Sequence, residues 1–279
     1  MRRKLKSYEI ESFAANLRRE ERSEGTVSSY LANVHAFAKW LGDGHITKEA
    51  VVAWKDELAQ HYAPATVNVK LAAVNAFFKF CGWQDCCVKA LRLQRRAFRD
   101  PGRELTKAEY EKLVAAARDS GRTRLALLME TICGTGIRVS EVRYITVEAA
   151  LAGRAEIALK GKIRTIMLPG KLCRKLLKYA RKQKIASGEI FLTRSGKSLS
   201  RRQIWSEMKA VCALAGVESS KVFPHNLRHL FATTFYRACH DIVKLADVLG
   251  HSSINTTRIY LITTGMEHAR TLDRLGLVS

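Results

Sequence analysis

The chain has 279 residues, 47% of them hydrophobic, enough to bury a core, argue against wholesale disorder and fill one large domain or two ordinary ones of ~100–200 residues. Lys and Arg number 48 against 26 Asp and Glu, a formal charge of +22 that suits a polyanion binder; nucleic acid fits better than a membrane, because no segment joins a strong apolar face to a cationic face with Trp anchors. No apolar run approaches the ~18–20 residues of a bilayer span, SYEIES after the basic start MRRKLK cannot be a signal-peptide core, and seven cysteines without CxxC spacing indicate neither a disulfide framework nor a zinc knuckle.

The first hundred residues carry apolar side chains at three- and four-residue intervals. Helices are expected over Tyr8–Glu21, Thr26–Leu41, Thr47–Tyr62 and Ala65–Cys81, with Thr26 and Thr47 as N-caps. They make a small bundle. RLQRRAFRDPGR then breaks the pattern with basic residues and Pro101-Gly102, and marks a domain boundary. The net charge is +6 over residues 1–102 and +16 over 103–279, so the second part is much the more basic.

That second part opens with helices near Thr106–Arg118 and Arg122–Cys133. Gly134-Thr135-Gly136 reads as a glycine turn that ends one helix and starts another near Val139. RAEIAL and RTIMLP flank Lys160-Gly161-Lys162, a β-hairpin signal. Helices return over Gly170–Ser187, Ser200–Ala215, Pro224–Ala238, Asp241–Leu249, Asn255–Tyr260 and Met266–Leu275. Within the first of these, KLCRKLLKYARKQK is amphipathic, its cationic face turned to water or to phosphate. The seven cysteines are expected to be reduced and mostly buried, as in a cytoplasmic protein.

Four stretches carry chemistry: GTGIRVSE with Arg138, the Lys160 turn, PHNLRH with His225 and Arg228, and LGH with His251 followed nine residues later by Tyr260. GTGIR lacks the GxGxxG order and the GK[ST] of nucleotide cradles, and HNLRH has Asn226 where a zincin needs Glu. Taken singly, each stretch has an ordinary structural reading: a surface arginine, a capping histidine, a core tyrosine. Together, two arginines, a lysine, two histidines and a tyrosine form a set for phosphodiester chemistry without metal. Arginines neutralise the phosphate oxygens, the phenol attacks, and an amine or imidazole moves protons. No carboxylate cluster of the magnesium-binding kind stands out, and no cofactor is expected.

GTGIRVSEV, KGKIRTIMLP, PHNLRH and LGHSSINTTRIY, in this order and spacing, resemble the signature boxes of the tyrosine site-specific recombinases, the integrase and Xer-type family. The resemblance covers essentially the whole chain. It implies a mainly α, two-domain DNA clamp: a helical core-binding domain over residues 1–98, a linker over 99–104, and a mostly α catalytic domain with a small antiparallel sheet over 105–279. It further implies that Arg138 and Arg228 stabilise the pentacoordinate phosphate, Lys160 protonates the leaving oxygen, His225 is the main acid/base, His251 hydrogen-bonds the phosphate and Tyr260 is the nucleophile. Lys162 competes with Lys160, Glu141 orients Arg138, and His229 packs rather than reacts. The implied partners are double-stranded DNA, three further copies of the chain in a homotetramer on two DNA sites, and in some settings an accessory protein. Without DNA the protein is expected as a monomer or weak oligomer, nucleoid-associated in the cytoplasm. The C-terminal helix is expected to dock on a neighbouring protomer, or in cis. At this length no additional N-terminal arm-binding domain is expected. Two rivals stand beside this reading, a type IB topoisomerase-like relaxase of supercoils and a DNA-binding regulator without catalysis.

Overall fold

A computed structural model describes residues 3–93, 101–159, 162–260 and 273–274. The chain divides into two compact units, residues 1–95 and 96–279.

The first unit is a bundle of α1 (Ser7–Arg19), α2 (Glu24–Leu41), α3 (Lys48–His61) and α4 (Pro64–Phe80). Its core is aromatic. Phe37 packs edge-on against Trp54 at 5.1 Å and Phe78 at 5.7 Å, and Phe13 meets Phe77 at 5.4 Å. Such pairs add to the apolar area they bury. Thr47 caps α3 as expected, accepting from the Ala50 amide. Thr26 does not cap α2: the helix begins earlier, and Ser23 accepts from the Thr26 amide. Either hydroxyl could serve; Glu24 and Gly25, neither of them apolar, hide the first turn from a periodicity reading.

The second unit is built on α5 (Lys107–Asp119) and α6 (Thr123–Thr135). Leu125, Leu128, Met129 and Ile132 bury α6 on more than one face, and its buried Thr131 and Thr135 hydroxyls donate back to the carbonyls four residues earlier. The helix runs through Gly134 and ends at Gly136, later than the sequence suggests. A 3₁₀ segment, Val139–Tyr144, and the short α7 (Val147–Ala152) follow. α7 went unread because one and a half turns carry too few apolar positions to show a period.

Strands β1 (Arg154–Leu159) and β2 (Lys162–Met167) pair antiparallel, with Ile157 opposite Arg164 and Ala155 opposite Ile166. β2 starts two residues before the expected RTIMLP. Then come α8 (Gly170–Lys182), α9 (Arg201–Lys209), α10 (Cys212–Ala215), α11 (Pro224–Cys239), α12 (Ile242–Leu249), α13 (Ile254–Thr257) and a 3₁₀ turn over Arg258–Tyr260. The expected Ser200–Ala215 helix is thus two, and α8 stops short of Ser187. The expected helix ending at Tyr260 is a single α-turn followed by the 3₁₀ turn. All but Asp273 and Arg274 of the expected Met266–Leu275 helix lie outside the described residues.

Among the described residues the fold is mainly helical with one small sheet, and no helix is long and apolar enough to cross a membrane. The seven cysteines are free; Cys86, Cys173 and Cys212 are buried and the other four half-buried, fewer in the core than expected.

Candidate active site

Five of the six expected site residues converge in the second unit. Arg138 follows the end of α6, His225 and Arg228 occupy the first turns of α11, His251 follows α12, and Tyr260 ends the 3₁₀ turn after α13. All five line one cavity of about 850 Å³, which Arg201, Arg202 and Trp205 of α9 border as well. Lys160 lies outside the described residues, as does the Lys162 side chain, so the choice between the two lysines rests on sequence.

Two glycines make the convergence possible. Gly136 ends α6 at φ +67°, and a Cβ there would lie 2.3 Å from the Phe231 ring. Gly250 ends α12 at φ +63°, where a Cβ would lie 2.5 Å from the Arg164 side chain. Both positions need a left-handed backbone and no side chain. The two helix ends can therefore come close, and each offers a carbonyl to the same arginine.

That arginine is Arg228, 3% exposed. Its Nη1 donates to the Gly136 carbonyl and its Nη2 to the Leu249 carbonyl at 2.8 Å and to His251 Nε2 at 2.9 Å. Among the described residues no carboxylate forms a salt bridge with it. Burial, and then the neighbouring Arg138 charge, hold the Arg228 guanidinium below its ordinary value, while the adjacent Tyr260 phenol pulls the other way. An arginine stays charged through such a shift. The result is a buried cation held by carbonyls, with its countercharge left to come from elsewhere.

Because an arginine can only donate, His251 Nε2 accepts, and Nδ1–H donates to the buried Thr257 hydroxyl at 2.8 Å. Burial pushes His251 down to about 4, helped by Arg228, Arg138 and Arg164 and opposed by Glu141. His225 is lowered too, by the desolvating walls around it and then by Arg228. Both imidazoles are therefore neutral at pH 7.

Tyr260 is 3% exposed, packed with Ala232, Leu245 and Leu249. Three histidines surround its ring: His251 stacks at 6.0 Å and 10°, His229 lies at 5.1 Å and His225 at 6.4 Å. His229 also approaches Glu104, with Nε2 to Oε1 at 3.9 Å, in keeping with a packing role.

Glu141, 1% exposed, organises the other arginine. Its Oε1 accepts from Arg138 Nη1 at 2.9 Å and its Oε2 from the Arg138 amide at 2.7 Å and Arg164 Nη2 at 2.5 Å. Two guanidinium groups thus share one carboxylate, and with Arg228 beside them the cluster carries more positive than negative charge, an arrangement that favours an anion. Removing one partner of a buried ion set costs ~3–5 kcal/mol, because the charge left behind loses its compensation. Glu141→Gln is expected to lower unfolding stability by about 3 kcal/mol in urea titration. A loss below ~1 kcal/mol would mean that Arg138 and Arg164 find other partners.

Sequence reasoning missed Arg164, Thr257 and the structural part of Asn226, which donates to the Arg103 and Lys221 carbonyls at 2.8 and 2.7 Å and so fixes the start of α11. Arg164 had one legible signal: it falls in the strand alternation that also sends Ile166 and Leu168 inward. Among the described residues no group of histidine, cysteine and carboxylate side chains could hold a metal ion.

Comparison with known proteins identifies the family. The profile of the "Phage integrase family" matches residues 103–265, and that of "Phage integrase, N-terminal SAM-like domain" matches residues 10–85. The tyrosine recombinase XerA of Pyrococcus furiosus is 30% identical over 98% of this chain and 96% of its own length. The fold is shared with the XerH site-specific recombinase bound to its difH substrate, at a TM-score of 0.71, 20% identity and coverage of 96% of this chain and 84% of that one. It is also shared with a lambda integrase in a tetramer bound to a Holliday junction, at a TM-score of 0.74, 17% identity and coverage of 91% and 76%. With both profiles matched in order and a relative alike over nearly its full length, the chain belongs to the phage integrase family, among the tyrosine recombinases.

Proposed function

We propose that this protein is a site-specific DNA recombinase that cuts and rejoins two duplexes through Tyr260. The observation that carries this reading is a buried arginine, Arg228, that meets carbonyls, an imidazole and a phenol and, among the described residues, no carboxylate in a salt bridge, in a domain of net charge +16. A phosphodiester brings the missing negative charge.

In this mechanism Tyr260 Oη attacks phosphorus and the O5′ bond breaks, leaving a 3′-phosphotyrosyl ester and a 5′-hydroxyl. The broken bond's energy is kept in the ester, so the reverse attack by a 5′-hydroxyl reseals a strand without ATP. His225, neutral at pH 7, takes the phenolic proton. Arg138 and Arg228 meet the charge that grows on the non-bridging oxygens. Lys160 protonates the leaving oxygen, with Lys162 as the other candidate. His251 joins the phosphate by releasing Arg228: once a phosphate oxygen replaces the imidazole as acceptor for the guanidinium, Nε2 takes a proton from solvent and hydrogen-bonds the phosphate as a donor.

The charged rim of Arg201 and Arg202 and the Trp205 ring suit the DNA beside the scissile phosphate. The N-terminal helical unit serves as the core-binding domain, and four copies on two sites carry the exchange through a Holliday junction. A nucleoid-associated, cytoplasmic location follows from the DNA substrate.

A plasmid carrying two copies of DNA from the flanks of the protein's own gene tests the reading. Recombinant circles of defined length are expected, with their formation falling steeply as salt rises, since phosphate contacts release counterions. Relaxed plasmid without new junctions would favour the topoisomerase-like rival.

A further inference from the structure

Arg164 has no place in the steps above, yet the fold accommodates it at a cost. Its side chain on β2 is 17% exposed. Nη2 lies 2.5 Å from Glu141 Oε2, Nη1 donates to the Val248 carbonyl at 3.3 Å, and Nε is buried without a hydrogen-bond partner. A guanidinium with an orphaned nitrogen is a poor choice for core filling. Gly250 makes room for it, since a Cβ there would press on its Cδ and Nη1 at 2.5 Å.

We propose that Arg164 is a positioning residue for phosphoryl transfer, setting Arg138 through Glu141 and His251 through the Val248–Gly250 turn. The inference rests on the recombinase reading. Glu141 alone would take both arms of Arg138 in the preferred bidentate fork and turn that guanidinium from the cavity. Arg164 occupies Oε2, so Arg138 is tied through Nη1, while its Nη2 is only 3.5 Å from the Gly250 carbonyl and available to a phosphate. The same guanidinium backs the turn that carries His251. Its charge adds to those facing that imidazole: Arg228 from α11, Arg138 and Glu141 from the segment after α6, and the Tyr260 phenol from the 3₁₀ turn.

The test compares Arg164→Lys and Arg164→Gln with the wild type in three measurements: single-turnover cleavage of DNA, DNA affinity, and titration of the His251 ring by NMR in the free protein. Lysine keeps the charge but cannot span Glu141 and Val248. Both variants are expected to cleave about a hundredfold more slowly, the cost of a misplaced catalytic group, with affinity within about threefold. His251, near 4 in the wild type, should titrate higher in Arg164→Gln than in Arg164→Lys, while burial, Arg228 and Arg138 keep it low in both. Wild-type cleavage rates in the folded fraction of both variants, or an unmoved His251 titration in Arg164→Gln, would overturn the proposal. If the wild type itself forms no covalent adduct on DNA it binds, the recombinase reading fails, and the His251 titration still decides what Arg164 does to the turn.

Discussion

Arg228→Lys is expected to cut the rate of DNA strand cleavage about a thousandfold while leaving DNA affinity within a few-fold of wild type. The magnitude is that of removing a preorganised donor from a developing oxyanion, ~10²–10³ in rate. The charge survives the exchange, so the long-range attraction for the polyanion changes little. What is lost is the fork. Arg228 reaches the Gly136 carbonyl with one nitrogen and the Leu249 carbonyl and His251 Nε2 with the other, joining α6, α11 and α12 in a single planar group. An ammonium is one point with three donors and cannot reach partners so arranged. The cavity wall loses its template together with its phosphate contact, and His251 loses the donor that fixes its tautomer. Single-turnover cleavage read beside equilibrium binding separates the two effects. A variant within tenfold of wild type would show that Arg138 alone meets the phosphate charge.

Stability should follow as a smaller, separate effect. Each buried carbonyl left without a donor costs ~1–3 kcal/mol, so the lysine variant is expected to unfold more easily although its charge is unchanged. The distinction matters because Arg228 is both a wall of the fold and a face of the site.

Much of this was legible in the sequence, for reasons that differ from residue to residue. The first-unit helices show their period because one face of each is apolar and the other is solvated. Arg138, His225, Arg228, His251 and Tyr260 were legible as a set, since the chemistry needs these types and their boxes keep order; their meeting in one cavity was not, because it depends on two left-handed glycines at helix ends. α7 and the division between α9 and α10 were hidden, as elements of one or two turns have no period to read. Arg164 was hidden differently: a charged residue in a strand is assigned to the solvent face by default, and only the inward register of Ile166 and Leu168 argues otherwise. The Thr26 and Ser23 exchange has a simple cause, two hydroxyls three residues apart that satisfy the same capping pattern.

The second large effect is the loss of covalent chemistry in Tyr260→Phe. The phenol is the attacking group in the account above, and no other hydroxyl is assigned that part. The exchange removes one oxygen and keeps the ring, whose packing on Ala232, Leu245 and Leu249 holds the 3₁₀ turn against α11 and α12. Folding and DNA binding should therefore survive while the ester cannot form. Arg228 gives up only a minor contact, since its main partners are the two carbonyls and His251.

The most direct measurement is trapping on a nicked suicide substrate cut from the flanks of the native gene, resolved on denaturing gels in the presence of EDTA. The account predicts a covalent protein–DNA band with wild type, carried on the 3′ phosphate, and none with Tyr260→Phe bound to the same DNA. A band that persists in Tyr260→Phe, or no band from wild type on DNA it demonstrably binds, would contradict it.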